Sequence, residues 1–503
     1  MNVLLIGLGK YLSLFGLRSL SASISAKGHT TTMLFVPVDA SLSLYKSEID
    51  AITATARNHQ PDIVGISLMF CDAARAIRLT RAIKSILDVP VIWGGLHPSL
   101  CLGDTPNCVD YVCAGEGEHP LSELLNALDN GHTINGIPGI AVRSNHGWLP
   151  PQPAPRIEDL DQLPLPDYRL DHHLILDGGA IRPLTRDRMM QHLPHIARIH
   201  PILTTRGCPH RCSFCANSAL ESLGTGPFVR RFSPEGVSAE VRDAVERFPD
   251  VLGMMIGDDL FISAPQEWLE RFCDLYRTNI GLPFFCEIHP GHVRPGMMEM
   301  LTETGLTGVG MGIQSGSERI ANGIFARGTT NQQILESTSM LDAEAPTVSR
   351  YFDIIVDNPF ETESDTVQTL ELVNSFRRNF ELTIFPLLFY PGTELTRRAR
   401  DEGINTRQGD LISRGESCRY SRSYLNRLLR SIPHTPQSWI RFWIARRHTR
   451  TGRASFYLFY FAYFVSIRKL SVNLTKFVRL QLALRSSRNR GIRARRIMRY
   501  ARI

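Results

Sequence analysis

Three cysteines fall within eight positions of one short stretch, RGCPHRCSFCAN from Arg206 to Asn217: Cys208, Cys212 and Cys215. The spacing C-x3-C-x2-C puts three thiolates on one loop with no fourth nearby. Such a set suits an iron-sulfur cluster with four irons when one iron is left without a protein ligand, open to a small molecule. Zinc is the competing occupant. A structural zinc normally takes four protein ligands, however, and although His210 lies between the cysteines, the paired C-x2-C knuckles are absent.

A loop of this kind has to be carried by rigid elements, and the 503-residue chain offers two alternating blocks. In residues 1–135 the segments NVLLIG, TTMLFVP, DIVGIS, VPVIWGG and DYVCAGEGE read as strands, with helical spacing between them, as in DAARAIRLTRAIKSIL. Near-continuous apolar strands joined by helices predict a Rossmann-like parallel sheet covered on both faces. The glycine clusters GLGK, GGLHP and GEGE then fall along its carboxyl edge, where such sheets bind ligands. Each cluster alone reads first as turn chemistry; three on one edge point to a ligand. GLGK is not the six-position dinucleotide fingerprint, so no nicotinamide is inferred.

Residues 136–200, with PPQPAP and LPLPDY, read as a linker or lid. In residues 201–410 six further strands, PILTTRG, VLGMMIGDD, PFFCEIHP, GVGMGIQSG, YFDIIVDNP and LTIFPLLFYPG, alternate with helices such as PEGVSAEVRDAVERF. Six β/α units predict a barrel or partial barrel with its site at the strand C-termini. The fold class is therefore α/β: a Rossmann-like sheet, a partial (β/α)6 barrel, and a basic, mainly helical region over 411–503.

The cysteine spacing, with Phe214 before the last thiol and TTRG leading in from a strand, resembles the radical S-adenosylmethionine (SAM) signature. RFSPEGVSAEV, IGDDLF, GVGMGIQSGSERI, FDIIVDNPFETESDT and YPGTEL follow in the order of the subgroup with an N-terminal cobalamin-binding domain, to which PDIVGIS, VIWGGLHPSL and DYVCAGEGEHPLSELL are similar. The resemblance implies that Cys208, Cys212 and Cys215 hold a 4Fe-4S cluster whose open iron is chelated by SAM. It implies reductive cleavage to a 5′-deoxyadenosyl radical, fed by an external electron donor of flavodoxin or ferredoxin type. By the same resemblance Phe214 borders the adenine, Gly257, Asp258 and Asp259 form the strand end that meets the SAM amino group, and Gly312, Ile313, Gln314 and Ser315 form the adenine and ribose side. Ser67, Gly94, Gly95, His97, Gly115, Glu116 and Gly117 match strand-end positions around the corrin and its nucleotide tail.

Some residues depart from the pattern. No D-x-H-x-x-G follows the first strand, so no histidine is seen to replace the lower axial ligand of cobalt; the resemblance implies cobalamin bound base-off with a vacant or water-filled lower face. Gln314 stands where many relatives have Glu, and DNPFET replaces G-x-P-G-E-T. Read without the resemblance, His97 is equally a helix or turn cap, while two adjacent acids ending an apolar strand, Asp258 and Asp259, point to a site. Glu287 and His289 sit at a strand end suited to substrate or ribose contact. Cys71, Cys101, Cys108, Cys113, Cys273, Cys286 and Cys418 read as buried free thiols.

Ten cysteines in this length exclude a disulfide-stapled secreted scaffold, and MNVLLIGLGKYLSLFG lacks the marks of a signal peptide, so a reducing, cytoplasmic setting is expected. The net charge of +7 is unevenly placed: from Arg414 onward there are 22 Lys or Arg and one acid, Glu416. Ala454 to Ile467 is apolar for about 14 residues, too short to span a bilayer; it reads as a core helix or as an interfacial helix at the inner face of an anionic membrane. A nucleic-acid surface ranks below both, because no recognition motif accompanies the charge.

These features together predict a cobalamin-dependent radical SAM methyltransferase acting at an unactivated carbon of a small-molecule or lipid-like substrate. The alternatives are a radical cyclase or rearrangement enzyme with the same cofactors, and a membrane-attached cobalamin or redox sensor. Product mass separates the first two, and 5′-deoxyadenosine release separates both from a sensor.

Overall fold

The computed structural model describes residues 1–9, 12, 14–37, 43–192, 199–406 and 419–463. Cys418 and the end of the apolar stretch, from 464 on, lie outside the described residues.

The five expected strands of the first block form: β1 (Asn2–Leu8), β2 (Thr30–Val36), β3 (Ile63–Ser67), β4 (Val91–Gly94) and β5 (Tyr111–Cys113). They pair in parallel in the order β2-β1-β3-β4-β5. This is a doubly wound order, with a switch point beside β1. The strands are apolar on both faces because helices cover both. Helix Ala73–Lys84, for example, buries Ala76, Leu79, Thr80 and Ile83 and turns Arg81 and Lys84 outward in its last turn.

The stretch expected to be a linker extends this sheet at both edges. Strands β6 (Ile140–Ser144) and β7 (Gly147–Leu149) add antiparallel beyond β5. Strand β8 (Leu174–Asp177) joins β2 in parallel, and β9 (Ala180–Pro183) closes that side, giving nine strands. Each is only three to five residues long between Gly and Pro, too short for a periodic signal.

The second sheet contains six parallel strands in sequence order: β10 (Ile199–Ile202), β11 (Gly253–Ile256), β12 (Phe284–Ile288), β13 (Leu306–Gln314), β14 (Ser349–Val356) and β15 (Glu381–Pro386). The helices between them start where the sequence says they should. Ser233 caps helix Pro234–Arg247 by accepting from the Gly236 N–H at 2.9 Å, and the helix buries Val237, Val241 and Ala244. In register, Glu287, Gly310 and Tyr351 lie side by side, as do Gly312, Asp353 and Thr383. Glu287, Tyr351, Asp353 and Thr383 on that face are half-buried or exposed, whereas Cys286, Val309, Met311, Phe352 and Ile354 on the opposite face are fully buried under the helices. The first face therefore lines the open interior of the partial barrel.

Both sheets belong to one compact unit, Met1–Leu372 with Phe376–Ser421. A second unit comprises Val373–Ser375 and the described residues from Arg422 onward. It holds helices Tyr424–Ser431, Gln437–Ala445 and Arg450–Tyr460 around Tyr424, Leu428, Trp443 and Phe456. Among the described residues no helix is long and apolar enough to cross a membrane.

One glycine fixes how closely a helix can approach the end of β13. A Cβ on Gly316 would lie 2.7 Å from the Cα of Thr369 and 2.9 Å from the carbonyl of Gln368, both backbone atoms of helix Glu363–Ser375. Gly316→Ala should therefore cost about 1–3 kcal/mol in urea unfolding, whereas Gly323→Ala, with nothing within 4 Å, should stay within about 0.5 kcal/mol of the parent.

Candidate active site

The cysteine loop leaves the carboxyl end of β10 and is pinned along its length. Ser213 N–H donates to the Phe325 carbonyl at 2.9 Å, Ser213 Oγ to the Ile324 carbonyl at 2.6 Å, and Leu395 N–H to the Ser213 carbonyl at 2.9 Å. Ser218 Oγ donates to the carbonyls of Cys215 and Cys212 at 2.7 and 3.1 Å. The three thiols are free. Burial pushes the Cys208 thiol up to about 11, and the neighbouring Cys212 and Cys215 add to the rise. Burial also raises Cys212, opposed by the Arg327 guanidinium, which hydrogen-bonds to it. Three converging thiols beside one buried cation are a donor set that fits an anionic cluster held through three sulfurs. Phe214 packs edge-on against Phe325 at 5.0 Å, which sets the direction of the turn.

The two acids after β11 have different surroundings. Asp258 is 1 % exposed and accepts from the backbone N–H groups of Thr204 and Thr205 at 2.6 and 3.1 Å, and from the Thr204 hydroxyl. Burial lifts it to about 6 despite these donors. Its side chain is thus committed to holding the entry of the cysteine loop, with Gly257 N–H bonded to the Ile202 carbonyl at 2.8 Å. Asp259 is the exposed member; it lines a cavity at the edge of the first sheet and hydrogen-bonds to Asn217.

That cavity, about 420 Å³, runs between the carboxyl edge of the first sheet and the cysteine loop. Ser67, Gly94, Gly95, Gly115, Glu116 and Gly117 line one side; Leu203, Thr205, Arg206, Gly207, Asn217 and Asp259 line the other. The glycines expose backbone where side chains would intrude. Gly95 has φ +95°, and a Cβ there would sit 2.7 Å from the Leu68 carbonyl. Ser99 Oγ joins two of the glycine turns, donating to Gly95 O at 2.7 Å and accepting from Gly115 N–H at 3.0 Å. A backbone-lined, mostly apolar cradle with a few polar groups fits a flat heteroaromatic group such as the nucleotide tail of cobalamin. His97 does not face it: the ring is 2 % exposed and packs edge-on to Phe70 at 5.8 Å. Among the described residues that line the cavity none is a histidine.

The first residue of the loop motif ties the two sheets. Arg206 donates to Glu118 at 2.7 Å, to Glu116 at 3.2 Å and to Ser19 at 3.1 Å. Arg230 also binds Glu116 and donates to the Ile157 carbonyl at 2.9 Å. Burial alone would raise the Glu118 carboxyl; the Arg206 guanidinium reverses this and holds it below its ordinary value. Glu116 is therefore an ion-pair residue on the cavity wall.

Within the barrel interior, Gly312 and Gln314 are half-buried, while Ile313 and Ser315 are 1 % exposed and belong to the packing. Gln314 takes φ +66° at an irregularity in the β13–β14 pairing. Arg327 donates to the Gly312 carbonyl, so one guanidinium links this strand to the cysteines. Glu287 is raised to about 7 by burial and by Asp353. The missing side chain at Gly310 is what leaves room for its carboxylate.

Three imidazoles gather beside the loop: His210 and His292 approach Nε2 to Nε2 at 3.0 Å, and His289 stacks on His210 with centroids 4.0 Å apart. The trio is a poor cation site. His289 Nδ1 accepts from Gly291 N–H at 3.1 Å, so its Nε2 carries the proton and meets Thr329 Oγ1 at 3.2 Å. The surrounding charges are the guanidiniums of Arg327, Arg231 and Arg294.

Sequence reasoning missed Arg327, Arg230, Glu118, Asn217 and Glu240. Arg206 and Glu118 were visible beside the motifs RGC and GEGE, and paired opposite charges on two predicted strand ends would have been the signal. Arg327 comes from a loop with no spacing signal. Of the other cysteines among the described residues, Cys101, Cys113, Cys273 and Cys286 are buried, while Cys71 and Cys108 are only half-buried.

Two stability tests follow from this geometry. Arg206→Met leaves Glu118 buried and uncompensated and should cost about 3–5 kcal/mol in denaturant unfolding, much of it regained in Arg206→Met/Glu118→Met. Glu240, buried on the cavity wall, is raised from 4.5 to about 8 by burial and by Asp258 and Asp243. The folded state binds that proton more tightly than the unfolded chain, so stability falls as pH rises between these values. Glu240→Gln should raise the melting temperature of the cofactor-free protein by about 5 °C at pH 8 and leave it nearly unchanged at pH 4.5.

Comparison with known proteins agrees with this geometry. Residues 1–125 match the B12 binding domain and residues 202–373 the radical SAM superfamily. An uncharacterized methyltransferase of Pyrococcus horikoshii is 26 % identical over 68 % of this chain and 70 % of its own length. The anaerobic magnesium-protoporphyrin IX monomethyl ester cyclase of Synechocystis is 29 % identical over 46 % of this chain and 44 % of its own. The structure of the radical SAM methyltransferase TsrM from Kitasatospora setae, with cobalamin and a 4Fe-4S cluster bound, superposes with a TM-score of 0.63 at 16 % identity, covering 80 % of this chain and 75 % of that one. Three thiols on a barrel loop whose flanking residues Arg206, Gly207 and Asn217 line a glycine-rich cavity at a parallel sheet's edge thus belong to a cobalamin-binding radical SAM enzyme, a B12-binding domain joined to a radical SAM domain.

Proposed function

We propose that the enzyme is a methyltransferase acting at an unactivated carbon, with cobalamin bound base-off. The observation that carries the reading is the shared cavity: the edge suited to cobalamin and the residues that flank the cysteines, Arg206, Gly207 and Asn217, are opposite walls of one space. When bound, the cluster supplies the electron that breaks a SAM sulfonium bond, and cobalamin carries the methyl group. The protein's own residues do the rest. Cys208, Cys212 and Cys215 supply the sulfur ligands, and Arg327 offsets their negative charge. Asp258 fixes the loop to the neighbouring strand, and the Arg206–Glu116–Glu118 bridge sets the gap between the two walls. The apolar lining, including Phe15, Leu17, Leu20 and Phe228, keeps water from the reacting groups. The methyl-transfer reading also draws on the Pyrococcus relative, which is named a methyltransferase.

The cyclase of Synechocystis keeps a second reading in view: the same cofactors used for ring closure without methyl transfer. The two separate without knowing the substrate. The anaerobic, cobalamin-loaded protein, reduced and mixed with SAM, should release about one equivalent of S-adenosylhomocysteine per cobalamin in a single turnover. The cobalamin-free protein should release none. Release of 5′-deoxyadenosine with no S-adenosylhomocysteine would favour the cyclase. Cys208→Ala, Cys212→Ala and Cys215→Ala should each abolish 5′-deoxyadenosine release and lower bound iron.

A further inference from the structure

The second unit has charge and exposed apolar surface that the chemistry does not use. From Arg422 to the end of the sequence there are 20 Lys or Arg and no Asp or Glu; eight of these, all Arg, fall in the described residues 422–463. So much charge of one sign repels itself and attracts an anionic surface. The same unit exposes Leu458 at 77 %, Phe461 at 65 %, Trp439 at 50 % and Phe442 at 41 %. These side chains are not needed for its core, because Ile440, Trp443, Ile444 and Phe456 on the other faces of the same helices are already buried.

Their arrangement is that of two amphipathic stripes. On helix Gln437–Ala445 and its end, Trp439, Phe442 and Arg446 recur at helical spacing, all exposed, with the Arg446 guanidinium 4.4 Å over the Phe442 ring. On helix Arg450–Tyr460 and its continuation, Arg450, Ala454, Leu458 and Phe461 do the same. The helices pack together, with Phe459 5.0 Å from Trp443 and 5.6 Å from Trp439.

We propose that this unit docks on an anionic lipid bilayer, lying in the headgroup region with Trp439, Phe442, Leu458 and Phe461 inserted and the arginines at the phosphate level. Nucleic acid would satisfy the charge equally. Its stacking platforms are aromatic, however, whereas the most exposed apolar residue is Leu458, which offers no ring to a base. A bilayer interface accepts Leu and aromatic residues alike. Among the described residues no helix is long and apolar enough to cross a membrane, and the contact proposed is a peripheral one. This docking is independent of the reaction type.

The test is flotation of the full-length, cofactor-loaded protein with vesicles of phosphatidylcholine alone or mixed with phosphatidylglycerol. Partition should be about tenfold or more stronger on the anionic vesicles and should weaken with salt. Trp439→Ser/Phe442→Ser/Leu458→Ser/Phe461→Ser keeps every arginine and should lose about tenfold or more of that partition. Should it fail to fold, Leu458→Ser/Phe461→Ser, both sites more than half exposed, should move it in the same direction. The proposal is overturned by equal partition on the two vesicle types. It is also overturned if the serine variants partition like the parent, or if a random-sequence RNA binds more tightly than the vesicles at the same salt.

Discussion

A single guanidinium holds the functional arrangement together. Arg206 begins the loop that carries Cys208, Cys212 and Cys215, and its charge is met by Glu116 and Glu118 on the carboxyl edge of the first sheet. Each sheet could in principle bind its own cofactor alone. Their chemistry couples only if the two sites are held at a fixed gap, and this partly buried ion-pair group, extended by Arg230, provides that tie. Buried pairs of this kind contribute little net stability against an apolar replacement. Their value here is positional, since the carboxylates also form part of the cavity wall.

The interior of the barrel follows the same economy of space. Glycines on β13 open the face where Glu287 and Asp353 stand, and Arg327 reaches across to the cysteines from a neighbouring loop. Burial raises carboxyls around the site: Glu287 to about 7, helped by Asp353, and Glu361 in the turn after β14 to about 8, helped by Asp365 and Asp357. The site therefore carries less negative charge near neutral pH than its composition suggests, which suits a region next to an anionic cluster.

Much of this was legible in the sequence because it depends on period and spacing. The cysteine triplet fixed the chemistry, and the apolar runs gave eleven strands in the right order. Long-range pairing was not legible. Asp258 and Asp259 are equivalent on paper as two acids after an apolar strand; only the fold shows that one is committed to Thr204 and Thr205 while the other faces the cavity. His97 follows a glycine pair at a strand end, yet its ring turns into the packing against Phe70. The edge strands of residues 140–183 were hidden because such short segments carry no period. One departure now has a physical reason. Asp357 stands where the related pattern has Gly and takes φ +56°, a left-handed conformation that Asp tolerates better than most residues.

The central claim is that cobalamin and the cluster face one cavity, and magnetic coupling between them tests it most directly. Anaerobic protein loaded with both cofactors, with cobalt as Co(II) and the cluster reduced to its paramagnetic state, should show an electron paramagnetic resonance spectrum altered by spin–spin interaction. Preparations holding either centre alone should lack that change. A doubly loaded spectrum that is the plain sum of the two separate ones, with relaxation of neither centre changed, would contradict the account.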